Sequence, residues 1–289
     1  MRVIPPSELI INEDGSIFHL HLKPEHLADK VVLVGDPERV SAVASYFETR
    51  ECEVTNREFH TITGCYRGKR LTVVSHGIGT DNIDIVLTEL DALANIDLTT
   101  RRLNPRLRQL TLVRIGTSGG LQPFVPVGTY VAAEKSIGFD GVLYFYAHNE
   151  TVRDRRCEEE LISQLQWPLP GLRPYVVDAD TSLIEQITRD DIVRGITIAA
   201  NGFYGPQGRE VRLPLTDPGL NKKIEAFDYQ GKKITNYEME SSSLAGLSAL
   251  MGHKAMTVCC IIAGRVDQNM QTSYKGSLTG LIETVLERI

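Results

Sequence analysis

Short apolar runs that do not alternate with polar residues constrain this chain most. Residues 31–34 (VVLV), 71–74 (LTVV), 110–115 (LTLVRI), 195–199 (GITIA) and 256–263 (MTVCCIIA) are rich in β-branched and aliphatic side chains. A strand half in water alternates, whereas a strand covered on both faces reads as a near-continuous apolar segment. Between these runs lie patterns of helical period. Asn82 is expected to cap a helix carrying Ile83, Ile85, Val86, Leu87, Leu90 and Leu93. Ser277 is expected to cap the last helix, whose apolar residues are Leu278, Leu281, Ile282, Val285, Leu286 and Ile289. A third helix is expected over 240–251, ended by Gly252. Strands alternating with helices imply a mostly parallel sheet between two helix layers. The 289 residues show no internal repeat, low-complexity tract or linker, so residues 1–289 are expected to form one domain.

Composition excludes several functions. Asp plus Glu number 37 against 31 Lys plus Arg, a formal charge of −6. A general nucleic-acid binder needs a basic face to release phosphate counterions, and this balance argues against one. No apolar run approaches the roughly 20 residues of a membrane span. The start of the chain lacks the apolar core and small-residue cleavage site of a secretory signal. The five cysteines are odd in number and form no CxxC pair, and Cys259 and Cys260 sit in an apolar run where buried thiols are expected. Neither a disulfide framework nor a zinc site is indicated, and a cytoplasmic location is expected. Residues 95–109 carry four arginines between a helix and a strand and are expected to be a solvated surface connection.

In parallel α/β sheets, ligands bind beyond the carboxyl ends of the strands. Three such ends carry glycine: Gly35-Asp36-Pro37-Glu38-Arg39, Ser75-His76-Gly77-Ile78-Gly79-Thr80, and Arg114-Ile115-Gly116-Thr117-Ser118-Gly119-Gly120. Glycine turns at which backbone N–H groups approach closely, with Arg39 and Arg114 beside them, suit a small anion. The third segment also matches G-x-S-x-G, the nucleophile elbow of serine hydrolases, which demands a strand-to-helix turn at the serine. Pro123 and Pro126 follow where that helix would propagate, so Ser118 is not expected to be a nucleophile.

Two further segments bring recognition chemistry. Phe203, Gln207 and Arg209 place an aromatic face, an amide and a guanidinium in one turn-rich stretch, a set suited to a planar heterocycle with carbonyl and N–H edges, such as a pyrimidine. Asn236-Tyr237-Glu238-Met239-Glu240-Ser241 ends a strand and opens a helix, and its two carboxylates can accept hydrogen bonds from a diol such as ribose.

GDPERV, REF, SHGIG, VRIGTSGG, the FYxxQxR loop, NYEMES and the arginine after CCIIAG occur in order from about Ile17 to Arg265. Together they resemble the nucleoside phosphorylase family, and within it the uridine-specific branch. The resemblance implies a three-layer αβα sandwich around a mixed, mostly parallel twisted sheet. It implies reversible phosphorolysis of uridine, and of deoxyuridine, to uracil and the (deoxy)ribose 1-phosphate. Purine phosphorolysis and phosphate-independent hydrolysis on the same fold remain the alternatives. Carried to matching positions, Gly35, Arg39, Arg114 and Thr117 hold phosphate, with Arg57 supplied by a neighbouring subunit. Glu240 and the Met239 backbone bind the ribose hydroxyls, and His19 reaches from the neighbour to the 5′-hydroxyl. Phe203, Gln207, Arg209 and Arg265 hold the base, and Arg209, Gln207, Arg114 and Glu240 are the expected catalytic set. Glu58 matches a glutamate that binds a monovalent cation in some members, but Asn82 stands where their serine would be, so no metal is expected. Inorganic phosphate is the co-substrate, no cofactor is implied, and the shared site requires a homodimer at least.

Overall fold

The structure, a computed structural model, describes residues 2–264 and 275–289. Its strands are β1 (Lys30–Val34), β2 (Thr49–Asn56), β3 (Phe59–Tyr66), β4 (Lys69–Ser75), β5 (Ile96–Asp97), β6 (Arg102–Leu103), β7 (Thr111–Gly120), β8 (Tyr130–Gly138), β9 (Tyr175–Asp178), β10 (Val193–Ala199), β11 (Ile234–Glu238) and β12 (Lys254–Gly264). The helices are α1 (Pro37–Ala44), α2 (Thr80–Asn95), α3 (Arg155–Leu165), α4 (Thr181–Ile187), α5 (Leu220–Ala226), α6 (Ser241–Met251) and α7 (Lys275–Arg288).

The main sheet has the order β11-β10-β8-β12-β7-β1-β4-β3-β2, with β9 beside β8 and β5–β6 as a separate hairpin. β4, β1, β7 and β12 run parallel at its centre. β8 runs antiparallel to β12, and β2 and β3 form an antiparallel edge against β4. β11 pairs with β10 on one side and with the far end of β7 on the other, so five strands close on themselves.

The absence of alternation in the apolar runs has its expected cause. Val31 and Leu33 pack with α2 and α6 on one face, while Val32 and Val34 pack with α1, α4 and α7 on the other. Each such fully buried aliphatic side chain contributes about 1.5–3 kcal/mol. The result is the helix–sheet–helix sandwich that the sequence pattern implies.

Three local expectations are corrected. α2 begins at Thr80 with Gly79 as its N-cap, at a positive φ of 98°, so Asn82 lies in the first turn. Ser277 lies inside α7 rather than capping it. The 114–120 segment is not a turn: β7 continues through Gly120 because β12 pairs along it and β11 pairs with its last residues. α6, by contrast, starts at Ser241 and ends at Gly252 (φ 80°), as its sequence indicates.

The arginine-rich 95–109 connection is a surface segment, but two of its arginines act as staples. Arg101 donates to the carbonyls of Ile4, Pro5 and Leu9, and Arg108 to the Asp29 carboxylate and the Leu27 carbonyl.

Candidate active site

The C-terminal ends of β1, β4 and β11 and the middle of β7 converge on one buried cluster. Arg114 is its centre, 4% exposed, and lies on β7 in register with Leu33 of β1 and Thr257 of β12. Gly116 leaves room for the guanidinium: a Cβ there would stand 2.6 Å from Arg114 Nη1 and 2.8 Å from Cys259 Sγ. Arg114 Nη1 donates to Glu238 at 2.9 Å, Nη2 donates to Glu240, and Nε donates to His76 Nε2 at 3.1 Å.

Glu240 reaches back to the start of α2, where its other oxygen accepts the Gly79 N–H at 2.7 Å. That bond holds Gly79, the N-cap of α2, in place. Glu238 is fully engaged: besides Arg114 it accepts the Glu240 N–H, the Ser241 N–H and the Ser241 hydroxyl. The expectation that both carboxylates serve a diol meets two carboxylates that are already bonded: Glu238 orders the β11–α6 junction and clamps Arg114, and Glu240 divides its oxygens between the Gly79 N–H and Arg114.

Two carboxylates around one guanidinium set the local electrostatics. Burial opposes the charge on Arg114, but Glu240 and Glu238 more than offset it and raise its pKa, so Arg114 stays cationic. Burial, with the Glu238 charge beside it, raises the pKa of Glu240 despite Arg114, because one cation serves two anions. Burial pushes the Cys259 thiol up to about 12, which makes it an inert neighbour of Arg114. Burial, reinforced by Arg114 and Arg39, holds the His76 imidazole well below its ordinary value and so neutral.

The remaining expected anion ligands flank this cluster. Gly35 ends β1 and meets the Gly77 carbonyl and the His76 ring: a Cβ at Gly35 would lie 3.3 Å from the former and 3.9 Å from His76 Cε1. Arg39, on α1, is half-buried and donates to the Ile115 carbonyl of β7 at 3.3 Å. Alternation along β7 turns Thr117 to the face opposite Arg114, the face covered by α1, where it is half-buried. Met239 is half-buried at the β11–α6 junction.

The 203–209 loop forms a second cluster. Gln207 is buried and its Oε1 accepts from Arg209 Nη1 at 2.6 Å. Arg209 stacks on the Phe203 ring, 3.8 Å from its centroid, and donates to the Phe203 carbonyl. Arg209 thus stacks on one face of the Phe203 ring, and Phe203 remains 51% exposed. Gly208 (φ 68°) lets the loop close on Asn221, which donates to the Gln207 carbonyl and accepts from the Tyr237 hydroxyl. Tyr237 precedes Glu238 on β11, so one chain of bonds ties the loop to the Arg114 cluster.

His19 and Arg57 share one edge of the molecule. Glu89, buried on α2, accepts the His19 and Leu20 N–H groups and holds His19 Nδ1 at 2.7 Å. Asn56 donates to the His19 carbonyl at 2.8 Å. The exposed Arg57, at the β2–β3 turn with φ 55°, lies over the Phe18 ring at 5.6 Å. Glu58 and Asn82 both border Gly77, where a Cβ would stand 2.4 Å from Asn82 Nδ2 and 3.4 Å from Glu58 Cγ. Arg265 lies outside the described residues.

His76 and Glu89 received no role from sequence. Glu89 reads as one more residue of an amphipathic helix, and only its placement under the His19 backbone reveals it. The signal for His76 was its place directly after β4, inside SHGIG.

Ser118 lies within β7, not on an elbow, and its buried hydroxyl has no hydrogen-bond partner among the described residues. Ser118→Ala is expected to leave activity within about twofold and stability unchanged or slightly raised, since it removes an unsatisfied polar group. A kinetic comparison with a thermal melt checks this, and loss of activity would return Ser118 to consideration.

Residues 29–286 match the family described as the phosphorylase superfamily. The chain is 30% identical to the uridine phosphorylase of Thermococcus kodakarensis over 88% of this chain and 79% of the relative. It is 34% identical to the DeoD-type purine nucleoside phosphorylase of Geobacillus stearothermophilus over 93% of this chain and 99% of the relative. Its fold superposes on a Trypanosoma brucei nucleoside phosphorylase, whose crystal structure is described as showing uridine phosphorylase activity, with a TM-score of 0.87, 28% identity, and coverage of 97% and 98% of the two chains. The phosphorylase family match spans most of the chain and includes the segments that carry Arg114, Glu238 and Glu240, and on that ground this protein belongs to the nucleoside phosphorylase superfamily.

Proposed function

We propose that this enzyme is a pentosyltransferase that phosphorolyses uridine, and deoxyuridine, reversibly to uracil and the (deoxy)ribose 1-phosphate. The observation that carries the reading is the Gln207–Arg209 pair on a loop bonded through Asn221 and Tyr237 to the Arg114–Glu238–Glu240 cluster. An amide beside a guanidinium meets the carbonyl and N–H edge of uracil.

In this reading Gly35, Arg39, Arg114 and Thr117 hold phosphate, joined by Arg57 of a neighbouring copy. Phosphate and Glu240 compete for the same edge of Arg114. As phosphate takes that edge, Glu240 is released to accept from the ribose hydroxyls beside the Met239 backbone. His19 of the neighbouring copy, steadied by Glu89, meets the 5′-hydroxyl. A phosphate oxygen then bonds to the anomeric carbon as the bond to the base nitrogen breaks. The base leaves with the electron pair, and Arg209 and Gln207 stabilise its negative charge as preorganised donors. Holding phosphate against the sugar converts a bimolecular encounter into a positioned one. Phosphate is the co-substrate, and neither a metal nor a redox cofactor has a part. The borrowed residues make a homodimer the minimal functional unit.

The test is release of free base from uridine, with inosine in parallel, with and without phosphate. Uracil released only with phosphate is expected. Hypoxanthine as the sole product would assign the Gln207–Arg209 loop to a purine, in line with the Geobacillus relative. Uracil release independent of phosphate would replace phosphorolysis by hydrolysis.

A further inference from the structure

We propose that His76 is a phosphate-binding residue: a neutral imidazole that anchors Arg114 through Nε2 and keeps its Nδ1–H for an oxygen of the bound phosphate. The inference rests on the phosphorolysis reading above and adds to it a ligand that its residue set lacks.

The argument begins with the direction of one hydrogen bond. Arg114 Nε is always protonated and can only donate, so His76 Nε2, 3.1 Å away, is the acceptor. A neutral imidazole whose Nε2 accepts carries its proton on Nδ1. The same bond rules out an imidazolium, since a proton on Nε2 would face the Arg114 N–H.

Nδ1 is therefore a hydrogen-bond donor. His76 is fully buried, and among the described residues Nδ1 has no partner that meets hydrogen-bond geometry; the Gly77 backbone beside the ring still raises the pKa of His76, the smallest influence there after burial and the two arginines. Buried donors are nearly always paired, and an orphan needs a physical reason. The position of the ring supplies one. Its Cε1, between the two nitrogens, faces Gly35, the glycine at the end of β1. Arg114 lies on one side of the ring, and the charge of Arg39 is felt there as well. A donor on a ring that faces a glycine turn and is anchored to Arg114, within the field of Arg39, is matched by an anion with several acceptor oxygens. A neutral donor also suits this place: a third cation would be repelled by Arg114 and Arg39, whereas an N–H adds a bond without adding charge.

Two substitutions separate the functions of the ring. His76→Gln keeps an acceptor near Nε2 for Arg114 and removes the donor at Nδ1. His76→Asn keeps an amide near Nδ1 and removes the acceptor for Arg114. His76→Gln is expected to raise the phosphate KM about 10–100-fold, the range of a lost hydrogen bond to a charged group, with kcat and the uridine KM within about threefold. His76→Asn is expected to keep a phosphate KM closer to that of the unaltered enzyme while kcat falls, because Arg114 loses its anchor. A purely structural histidine would move all parameters together in both variants, and that result overturns the proposal, as does an unaltered phosphate KM in His76→Gln.

A measurement on the unaltered protein covers the case in which the variants fail to fold. With the seven histidines labelled with 15N, one ring is expected to show a protonated Nδ1 that does not titrate. Its Nδ1–H proton should move downfield on addition of inorganic phosphate and stay in place with chloride. If phosphate raises the melting temperature but leaves that proton unmoved, the role of His76 is overturned while the phosphorolysis reading stands. If inorganic phosphate neither binds nor supports base release, the phosphorolysis reading itself fails, and this inference with it.

Discussion

Replacing Arg114 by methionine is expected to abolish phosphate-dependent turnover and to destabilise the fold by about 3–5 kcal/mol, the cost of breaking a buried ion pair from one side. The two losses have different origins. Turnover fails because the central cation of the proposed phosphate site is gone. Stability falls because Glu240, 4% exposed, is left as a buried carboxylate with its Gly79 N–H bond and no cation. Glu238 suffers less, since the Glu240 and Ser241 N–H groups and the Ser241 hydroxyl still donate to it. The double variant Arg114→Met with Glu240→Gln is accordingly expected to regain part of the stability and none of the activity. Chemical denaturation and phosphate-saturation kinetics on both variants check this. Normal saturation by phosphate in the single variant would remove Arg114 from the anion site, and unchanged stability would contradict the buried cluster.

Arg209→Ala is expected to lower kcat about 10²–10³-fold, the effect of removing one preorganised donor to a developing anion. Stability should change little, because Arg209 is half-buried on a loop rather than packed in the core. The phosphate KM should also hold, since Arg209 belongs to the base cluster and not to the Arg114 cluster. The informative comparison is Phe203→Leu, which removes the ring that Arg209 stacks on while leaving the guanidinium present. Its kcat should fall by less than that of Arg209→Ala. Equal losses in the two would show that the ring does more than aim the guanidinium, and unchanged uridine phosphorolysis in Arg209→Ala would take the residue out of the mechanism.

These two predictions draw on parts of the molecule that the sequence exposes very differently. The 203–209 loop is local: Phe203, Gln207 and Arg209 fall within seven residues, so any compact turn brings them together, and their chemistry is readable from the chain. The Arg114 cluster is assembled from four distant segments. Arg114 and Glu240 stand out because each adjoins a strand end. The division of labour between Glu238 and Glu240 does not, since adjacent carboxylates look equivalent until one of them is bonded on every side. His76 is in the same position, because an orphaned nitrogen exists only after its neighbours have been placed.

What the sequence by itself determined is the fold class and where a candidate site is to be sought. Unalternating apolar runs force strands covered on both faces, and such sheets place ligands beyond their strand ends. What only the tertiary structure decided is where elements stop and which charges meet. Glycines 116, 119 and 120 suggest a turn, but β12 and β11 pair with that segment and the ladder bonds outweigh the weak local preference. Asn82 has the chemistry of a cap, yet α2 is capped three residues earlier, at Gly79, whose N–H is captured by Glu240, distant in sequence. Local propensities amount to about 1 kcal/mol or less, whereas leaving a buried carboxylate or guanidinium unpaired costs several, so buried charges set the final details of this site.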